Sequence, residues 1–331
     1  MKATSRASSK LLHGGLRYLG NFEFRIVREA LRERDAWLRR VPELARPLSI
    51  VIPIYKTSRT GRFKMGVGLF LYRFLAPRSP HSAYRWLAPH ELGPGVIREG
   101  LLGGYEFFDG QSDDYRLGLW VLEQAQNCGV QVRTQTEVVS VSEDGEVARH
   151  DAPGNSDEDT KGAVLTEKFD RTVNVAGPWA EALCEASGIE FPFQLDLVRG
   201  SHLVLDRPCP QAYLLEVPDE DRLFLVLPWQ GNTLVGTTKM RQSIDEPIEC
   251  SDAEITYLLQ AFNVSMQQKA TRADVIETFA GVRPLIKSAK NPTRATREYA
   301  LHKWASWLLC SAASGPLRWR SLARSCAVSS C

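Results

Sequence analysis

Two strand–turn–helix units, set far apart in the chain and separated by strand-rich stretches, constrain the fold most. The first spans residues 107–141, FFDGQSDDYRLGLWVLEQAQNCGVQVRTQTEVVSV: a turn, a helix capped at Ser112 or Asp113, a stop at Gly129, then a strand through Val138 and Val139. The second spans residues 163–189, in which TVNVAG reads as a buried strand and Pro178 takes the first helical position. From Leu195 to Lys239 the texture changes to alternating strands, LDLVRGSHLVLD and RLFLVLPWQGNTLVGTTK, with Gly231 and Asn232 as a hairpin turn. Helix-bearing units interleaved with antiparallel strands predict a mixed α/β (α+β) chain of two domains that it enters and leaves more than once.

The stretch from Ala3 to Leu19, ATSRASSKLLHGGLRYL, holds the densest set of candidate site residues. Gly14 and Gly15 carry no Cβ, so a backbone there can come close to a flat or charged ligand. His13, Arg17 and Tyr18 follow within a turn or two and offer an acid/base group, an anion clamp and a phenol. A polar loop leading into a solvated helix would have the same local composition.

The rest of the chain supplies frame. Phe24, Val27, Leu31 and Leu38 fall on one helical face, with Glu29, Arg32, Glu33, Arg39 and Arg40 on the solvent side and Pro42 as the stop. LSIVIPIY reads as a strand bounded by Pro47, and KMGVGLFLYRFLA as an apolar helix closed by Pro77. Gly66 and Gly68 in that helix suit close packing, because the third glycine of a dinucleotide fingerprint is absent. Asp113 and Asp114 sit where acids meet the positive end of a helix dipole, and read as caps rather than a catalytic pair. DAPGNSDEDTKG reads as an exposed loop, DAEITYLLQAFNVSM as a helix capped at Ser251 or Asp252, and FAGVRPLIK as a return through a glycine and an Arg-Pro turn.

Composition excludes several function classes. A net charge of +2 over 331 residues, with no basic run interleaved with aromatics, argues against a nucleic-acid partner. No apolar run approaches the roughly 18 to 20 residues that span a bilayer, which leaves peripheral attachment open. The cysteines show no CxxC and no histidines at metal spacing, so no metal site is expected and the thiols read as reduced, in a cytoplasmic setting. Residues 303–331 contain four cations and no acid, a composition break that suits either a basic amphipathic anchor or an unrelated extension.

In order along the chain, SSKLLHGGLRYL, FEFRIVREALRER, DGQSDDYRL, NVAGPWA, VRGSHLVL, LPWQGNTLVGTTK, FAGVRPL and TREYALH resemble the FAD-dependent glycerol-3-phosphate dehydrogenases, over nearly all of residues 3–302. The resemblance implies a two-domain flavoprotein of the glutathione-reductase-like or D-amino-acid-oxidase-like type, with the first βαβ unit of the FAD domain, the bearer of GxGxxG, missing from this chain. Residues 1–42, 106–185 and 281–302 would form the FAD-binding domain, residues 43–105 and 186–280 a substrate or cap domain, and residues 303–331 an unmatched basic tail. The implied reaction moves hydride from C2 of sn-glycerol 3-phosphate to FAD, gives dihydroxyacetone phosphate and passes electrons to a quinone. The implied setting is the cytoplasm, peripheral on the inner face of the cytoplasmic membrane, and a homodimer is compatible with it.

The resemblance also places residues. His13, Arg17 and Arg283 would be catalytic, with His13 as the base that takes the hydroxyl proton. Arg17, Tyr18, Arg283 and Arg297 would bind substrate, since a phosphate dianion needs charge-assisted donors that arginine supplies best. Pro284 restricts the backbone beside Arg283 and aims its guanidinium. Ser8, Ser9, Lys10, Gly14, Gly15, Val138, Gly177 and Pro178 would line the cofactor. The chain departs from the family at Lys239, where an aspartate is usual after GTT, and at Lys303, which lacks the glycine pair of the family's FGGK. Two alternatives stay open: a flavin-less remnant that still binds glycerol 3-phosphate, and an FAD oxidase of another hydroxy acid or amine.

Overall fold

The first long helix, α1 (Phe24–Arg40), forms where the 3.6-residue apolar period begins, and Val27, Leu31 and Leu38 are buried along it. Phe24 is not on that buried face: it opens the helix, stays 39% exposed and packs edge-on against Phe22. Glu33 does not stay on the solvent side either. It is buried together with Arg34 and Asp35, because the face presented to the sheet is wider than the apolar stripe.

A computed structural model of the chain describes residues 3–76, 79–151, 163–288, 291–296, 300–304 and 307–311. Its elements follow in the mixed α/β order expected. A 3-10 turn (Ala3–Arg6), β1 (Leu11–Leu12) and a second 3-10 turn (Leu16–Asn21) precede α1. Then come β2 (Ala45–Tyr55), α2 (Arg62–Leu75), β3 (Tyr84–Leu87), β4 (Leu101–Ser112) and α3 (Asp114–Asn127). After them run β5 (Thr136–Val141), β6 (Glu146–Asp151), β7 (Val164–Lys168), β8 (Thr172–Asn174), a 3-10 turn (Gly177–Trp179) and α4 (Ala180–Ala186). The remainder is β9 (Leu195–Leu205), β10 (Ala212–Glu216), β11 (Leu223–Trp229), β12 (Asn232–Gly236), β13 (Met240–Arg241), α5 (Asp252–Ser265), β14 (Val275–Ser288), β15 (Asn291–Thr296), β16 (Ala300–Trp304) and β17 (Trp307–Ser311).

One large sheet runs in the order β1-β4-β2-β10-β11-β12-β9-β14-β15, with β3 beside β4 and β13 beside β9. All its ladders are antiparallel except β2 with β10. α1, α2 and the turn at Leu16–Asn21 bury Tyr18, Val27, Leu31, Leu69 and Tyr72 on one side of it, against Ile50, Ile52, Phe107 and Leu227. α5 closes a second core with Leu203, Tyr213, Phe224, Leu258 and Phe262. Two small sheets lie apart from this one: β5-β6-β7, and β16-β17-β8, in which β17 and β8 are parallel.

Two prolines sit inside strands that the sequence reading ended at them. β2 begins at Ala45 and carries Pro47 opposite Gly110, and β14 runs unbroken through Pro284, which faces Leu197. The second neighbour of β2, β10, pairs with it only at Ile50 and Val51, past Pro47, and β15 pairs with β14 at Ile286 and Ser288, past Pro284, so among the described residues each proline falls where its strand has one ladder. FAGVRPLIK is therefore straight strand, not a turn. The expected domain boundaries at 105/106 and 280/281 both fall inside continuous strands, β4 and β14. Residues 152–162 and Pro77 lie outside the described residues.

Candidate active site

The opening segment is held against the large sheet along its whole length. Thr4 Oγ1 donates to the carbonyl of Val282 at 2.7 Å, and β1 pairs Leu11 with Gln111 and Leu12 with Gly110. The segment passes so close over β14 that a Cβ on Gly281 would stand 3.0 Å from that of Ala7.

Between those anchors, Ser8, Ser9 and Lys10 meet residues of α3, β9, β11 and β14. The N–H of Ser8 donates to Asp114 Oδ2 at 2.9 Å, and Lys10 Nζ donates to Asp114 Oδ1 at 2.6 Å and to the Arg6 carbonyl at 2.7 Å. Lys10 is 6% exposed, and its ammonium lies over the rings of Phe279 and Trp229. Asp113 caps α3 by accepting from the N–H groups of Tyr115 and Arg116, as expected. Asp114 does more than cap. It is the counter-ion that ties the opening segment to the α3 terminus.

Ser9 leads to a residue that the sequence reading left out. Its Oγ shares a 2.9 Å hydrogen bond with Nε2 of His202, an imidazole on β9 that is 3% exposed and stacked on Phe279 with ring centroids 4.8 Å apart. Burial, then the charges of Arg283 and Lys10, push this imidazole down to about 3, so it is neutral at ordinary pH. Its Nδ1 is buried with no hydrogen-bond partner among the described residues, a cost native folds accept chiefly where a polar group has a further task. Arg283 on β14 lies alongside: a Cβ on Gly200 would stand 2.5 Å from its Nη2 and 2.5 Å from Thr237 Oγ1. The structure thus brings Ser9, Lys10 and Arg283 together around His202.

The HGG turn is carried from below by a buried polar network. Oδ1 of Asp109 accepts from the N–H of Gly14 (3.1 Å), from Tyr72 OH (2.7 Å) and from Arg34 Nη1 (3.1 Å). Arg34, fully buried in α1, also donates to Asp35 Oδ1 and to the Phe108 carbonyl. Burial opposes its charge, but Asp109, Tyr72 and Asp35 outweigh that and hold the guanidinium protonated more firmly than usual. His13, half-buried, is thereby fixed between Leu12 in the ladder and Gly14 on Asp109.

The glycine pair has a physical reason other than a ligand. A Cβ on Gly14 would stand 2.2 Å from Tyr72 OH and 2.3 Å from Leu31 Cδ2, and one on Gly15 would stand 2.4 Å from the Tyr18 ring. Gly15 is also left-handed, with φ 79° at the head of the turn Leu16–Asn21. Arg17 is exposed on that turn, its guanidinium 5.2 Å from the ring centroid of Tyr18, which is buried. Arg297 lies outside the described residues.

The remaining predicted positions belong to the smaller sheets. Val138 on β5 is 40% exposed, as are Val173 at 48% and Val175 at 69%, on and just after β8. Gly177 follows with φ +59°, and open space lies where its Cβ would be, beside buried Pro178. An exposed apolar strand end leading into an open backbone turn is a surface that a flat ring can approach.

The signals for what was missed were partly present. Arg34 falls on the buried face of α1, between Leu31 and Leu38, and a charge in an apolar stripe asks for a buried partner. Asp109 stands next to Gly110 in a strand otherwise rich in aromatics. His202 had only its place in the apolar strand GSHLVL to mark it.

Against known proteins, the model of one family, described as FAD dependent oxidoreductase, matches residues 1–311. A glycerol-3-phosphate dehydrogenase of Pseudomonas aeruginosa is 34% identical over 303 residues, which cover 90% of this chain and 58% of that protein. A D-erythritol 1-phosphate dehydrogenase of Brucella abortus is likewise 34% identical, covering 90% and 60%. The crystal structure of the glycerol-3-phosphate dehydrogenase of Bacillus halodurans complexed with FAD superposes with a TM-score of 0.74 over 99% of this chain and 56% of that one, at 23% identity. The chain therefore shares the fold of that flavoprotein and spans less than two thirds of the length of these relatives.

Proposed function

Because the chain belongs to the family of FAD-dependent oxidoreductases, we propose that it serves the oxidation of sn-glycerol 3-phosphate to dihydroxyacetone phosphate, with FAD as the cofactor and a quinone as electron acceptor. The observation that carries this reading is the convergence of Lys10 and Arg283 on a buried, neutral histidine. Arg283 beside a neutral imidazole offers a planar, charged donor to a phosphate dianion, and the imidazole adds a hydrogen-bonding group and no charge of its own, while Lys10 keeps its pairing with Asp114.

The residues present fit a flat cofactor at the open turn of Gly177 and Pro178 and at exposed Val138. Bound FAD would supply the hydride acceptor for C2 of the substrate. We assign Ser8, Ser9 and Lys10 to the same cofactor from the opening segment, whereas Gly14 and Gly15 make room for Tyr72, Leu31 and Tyr18. His13 takes the hydroxyl proton as hydride leaves C2, and its fixed backbone holds it in one place for that transfer. Arg17, Tyr18, Arg283 and Arg297 hold the phosphate end. On this reading residues 1–42, 106–185 and 281–302 serve the cofactor, and residues 43–105 and 186–280 serve the substrate. The electron acceptor places the protein in the cytoplasm, against the inner face of the membrane.

The test is spectroscopic. The full chain, incubated with FAD and desalted, should retain flavin absorbance, and anaerobic glycerol 3-phosphate should bleach it. Colourless protein, or a flavin that the substrate does not bleach, overturns the proposal. The Brucella abortus relative favours a second reading in which a longer polyol phosphate is the substrate. Bleaching by D-erythritol 1-phosphate at lower concentration than by glycerol 3-phosphate would select it.

A further inference from the structure

Past the end of β12 (Asn232–Gly236) stand two successive threonines, Thr237 and Thr238, and the fold uses them in opposite ways. Thr238, 2% exposed, is occupied by structure: its Oγ1 accepts from the N–H of Ser201 at 2.9 Å and donates to Glu254 Oε1 at 2.6 Å. Thr237 is half-buried, and its Oγ1 donates within its own dipeptide, to the Thr238 carbonyl, at a long 3.3 Å. A better acceptor would take that proton. Beside the hydroxyl lies the half-buried guanidinium of Arg283. A Cβ on Gly200 would stand 2.5 Å from Thr237 Oγ1 and 2.5 Å from Arg283 Nη2, so the hydroxyl and the cation flank the same bare Cα.

The loop that carries Thr237 is clasped by one face of α5, through two side chains a helical turn apart. Glu254, 3% exposed, accepts at Oε1 from Thr238 and from Ser201 Oγ (2.8 Å), while its Oε2 takes Arg199 Nη2 (2.9 Å) and the N–H of Ser251 (3.1 Å). Burial works against this carboxylate, but the hydrogen bonds from Thr238, Ser251 and Ser201 outweigh it and keep the group charged below the usual carboxyl range. Its charge is paired with Arg199, so it does not oppose an anion at Arg283. Three residues on, Tyr257 OH donates to Glu220 Oε2 and accepts from Arg222 Nη1, each at 3.0 Å, and Arg222 Nη2 donates to the Thr237 carbonyl at 2.9 Å. The N–H of Thr238 adds a tie to the Ser201 carbonyl at 3.3 Å. With its backbone held from both sides, the Thr237 hydroxyl is aimed before any ligand arrives.

We propose that Thr237 is a further substrate-binding residue, its hydroxyl donating to a phosphate oxygen beside Arg283, with Glu254 and Arg222 as the positioning residues that present it. The shapes of the two donors give the ligand class. A guanidinium offers its N–H groups in one plane and takes two oxygens of a phosphate monoester, whose remaining oxygen stands out of that plane and needs a donor from the side. A hydroxyl on the neighbouring loop supplies one without adding charge. The assignment takes its ligand from the proposed function and deepens it.

The experiment is titration calorimetry of the full chain, with no flavin added, against sn-glycerol 3-phosphate, for the parent, Thr237→Val and Thr237→Ser. Thr237→Val replaces the hydroxyl by a methyl of the same shape and should weaken binding roughly 10- to 100-fold, the loss of one hydrogen bond to a charged group. Thr237→Ser keeps the hydroxyl and should restore binding. Both variants should keep the melting midpoint of the parent, because the ties of the loop run through Thr238 and the Thr237 carbonyl. In the FAD-loaded chain Thr237→Val should raise KM by the same factor and leave kcat unchanged. The proposal is overturned if the parent does not bind glycerol 3-phosphate, if Thr237→Val binds it as the parent does, or if Thr237→Ser fails as Thr237→Val does. A fall in kcat at unchanged KM overturns it as well. Bleaching of the flavin reports separately on the proposed function: a flavin that the substrate leaves oxidised, with calorimetric binding that still depends on the Thr237 hydroxyl, sinks the oxidation and supports the site.

Discussion

The N–H of Gly14 donates to Oδ1 of Asp109 across 95 residues of chain, at 3.1 Å, so the turn that carries His13 hangs from one buried carboxylate. The same oxygen takes Tyr72 and Arg34. Asp109→Ala should therefore leave a buried guanidinium and an amide without their partner and cost about 3 to 5 kcal/mol. Asp109→Asn keeps the shape and one acceptor oxygen and should cost less. Urea unfolding of the two variants measures the difference, and an Asp109→Ala variant as stable as the parent would show that the network does not bear on stability.

Gly14 is bounded by Tyr72 and Leu31 at distances no Cβ tolerates. Gly14→Ala should thus destabilise by about 1 to 3 kcal/mol through overpacking, with a matching fall in melting temperature. Gly68, whose Cβ position is open, is the control: Gly68→Ala in the interior of α2 should stabilise by about 0.5 to 1 kcal/mol.

His202 makes stability depend on pH in a known direction. The folded imidazole is held down to about 3, whereas the unfolded one binds its proton near 6.5, so between those values the unfolded chain carries more protons. Stability is then complete above about pH 6.5 and falls as pH drops towards 3, by about 2 kcal/mol at pH 5. Denaturation midpoints at pH 7 and pH 5 for the parent and for His202→Gln test this. The variant should lose less on acidification than the parent.

Arg283 and Gly200 give a paired test of the proposed anion site. Arg283→Lys keeps the charge but loses the planar fork, and should weaken glycerol 3-phosphate binding by about 1.5 to 3 kcal/mol, read as a rise in KM. Gly200→Ala changes no charge at all. Its Cβ would displace the guanidinium, and kcat/KM should fall roughly 10- to 100-fold. A Gly200→Ala enzyme with unchanged kcat/KM would separate Arg283 from the substrate.

The elements were legible in the sequence where one period or one cap determined them. The helix carrying Leu31, the β11–β12 hairpin and the cap of α5 at Ser251 all come from residues within a few positions of each other, although the turn is Gln230 and Gly231, with Asn232 already paired to Trp229, rather than Gly231 and Asn232. Pro47 and Pro284 misled because a strand's tolerance of proline depends on whether a neighbour sits on its N–H side, which is decided by distant chain. The site shows the same split. Ser9 and Lys10 were singled out for the cofactor and Arg283 for the substrate, through resemblance to a family, and the fold sets all three around His202. His202 and Asp109 were not, because a histidine in an apolar strand and an acid beside a glycine acquire meaning only when Ser9 and Gly14 arrive from elsewhere. The glycines of HGG were assigned to a ligand, and the space before them turned out to hold Tyr72, Leu31 and Tyr18.

Thr4 is tied to Val282, and Ser9 to His202, across 278 and 193 residues. During synthesis at roughly 5 to 20 residues per second, the partners of the opening segment emerge roughly 10 to 55 seconds after it does. Throughout that interval Ser8, Ser9 and Lys10 have no β9 or β14 to lie on. Ser8 and Lys10 can meet Asp114 about halfway through that wait, but Ser9 gains its partner, and the candidate site its shape, only when β9 and β14 have been made.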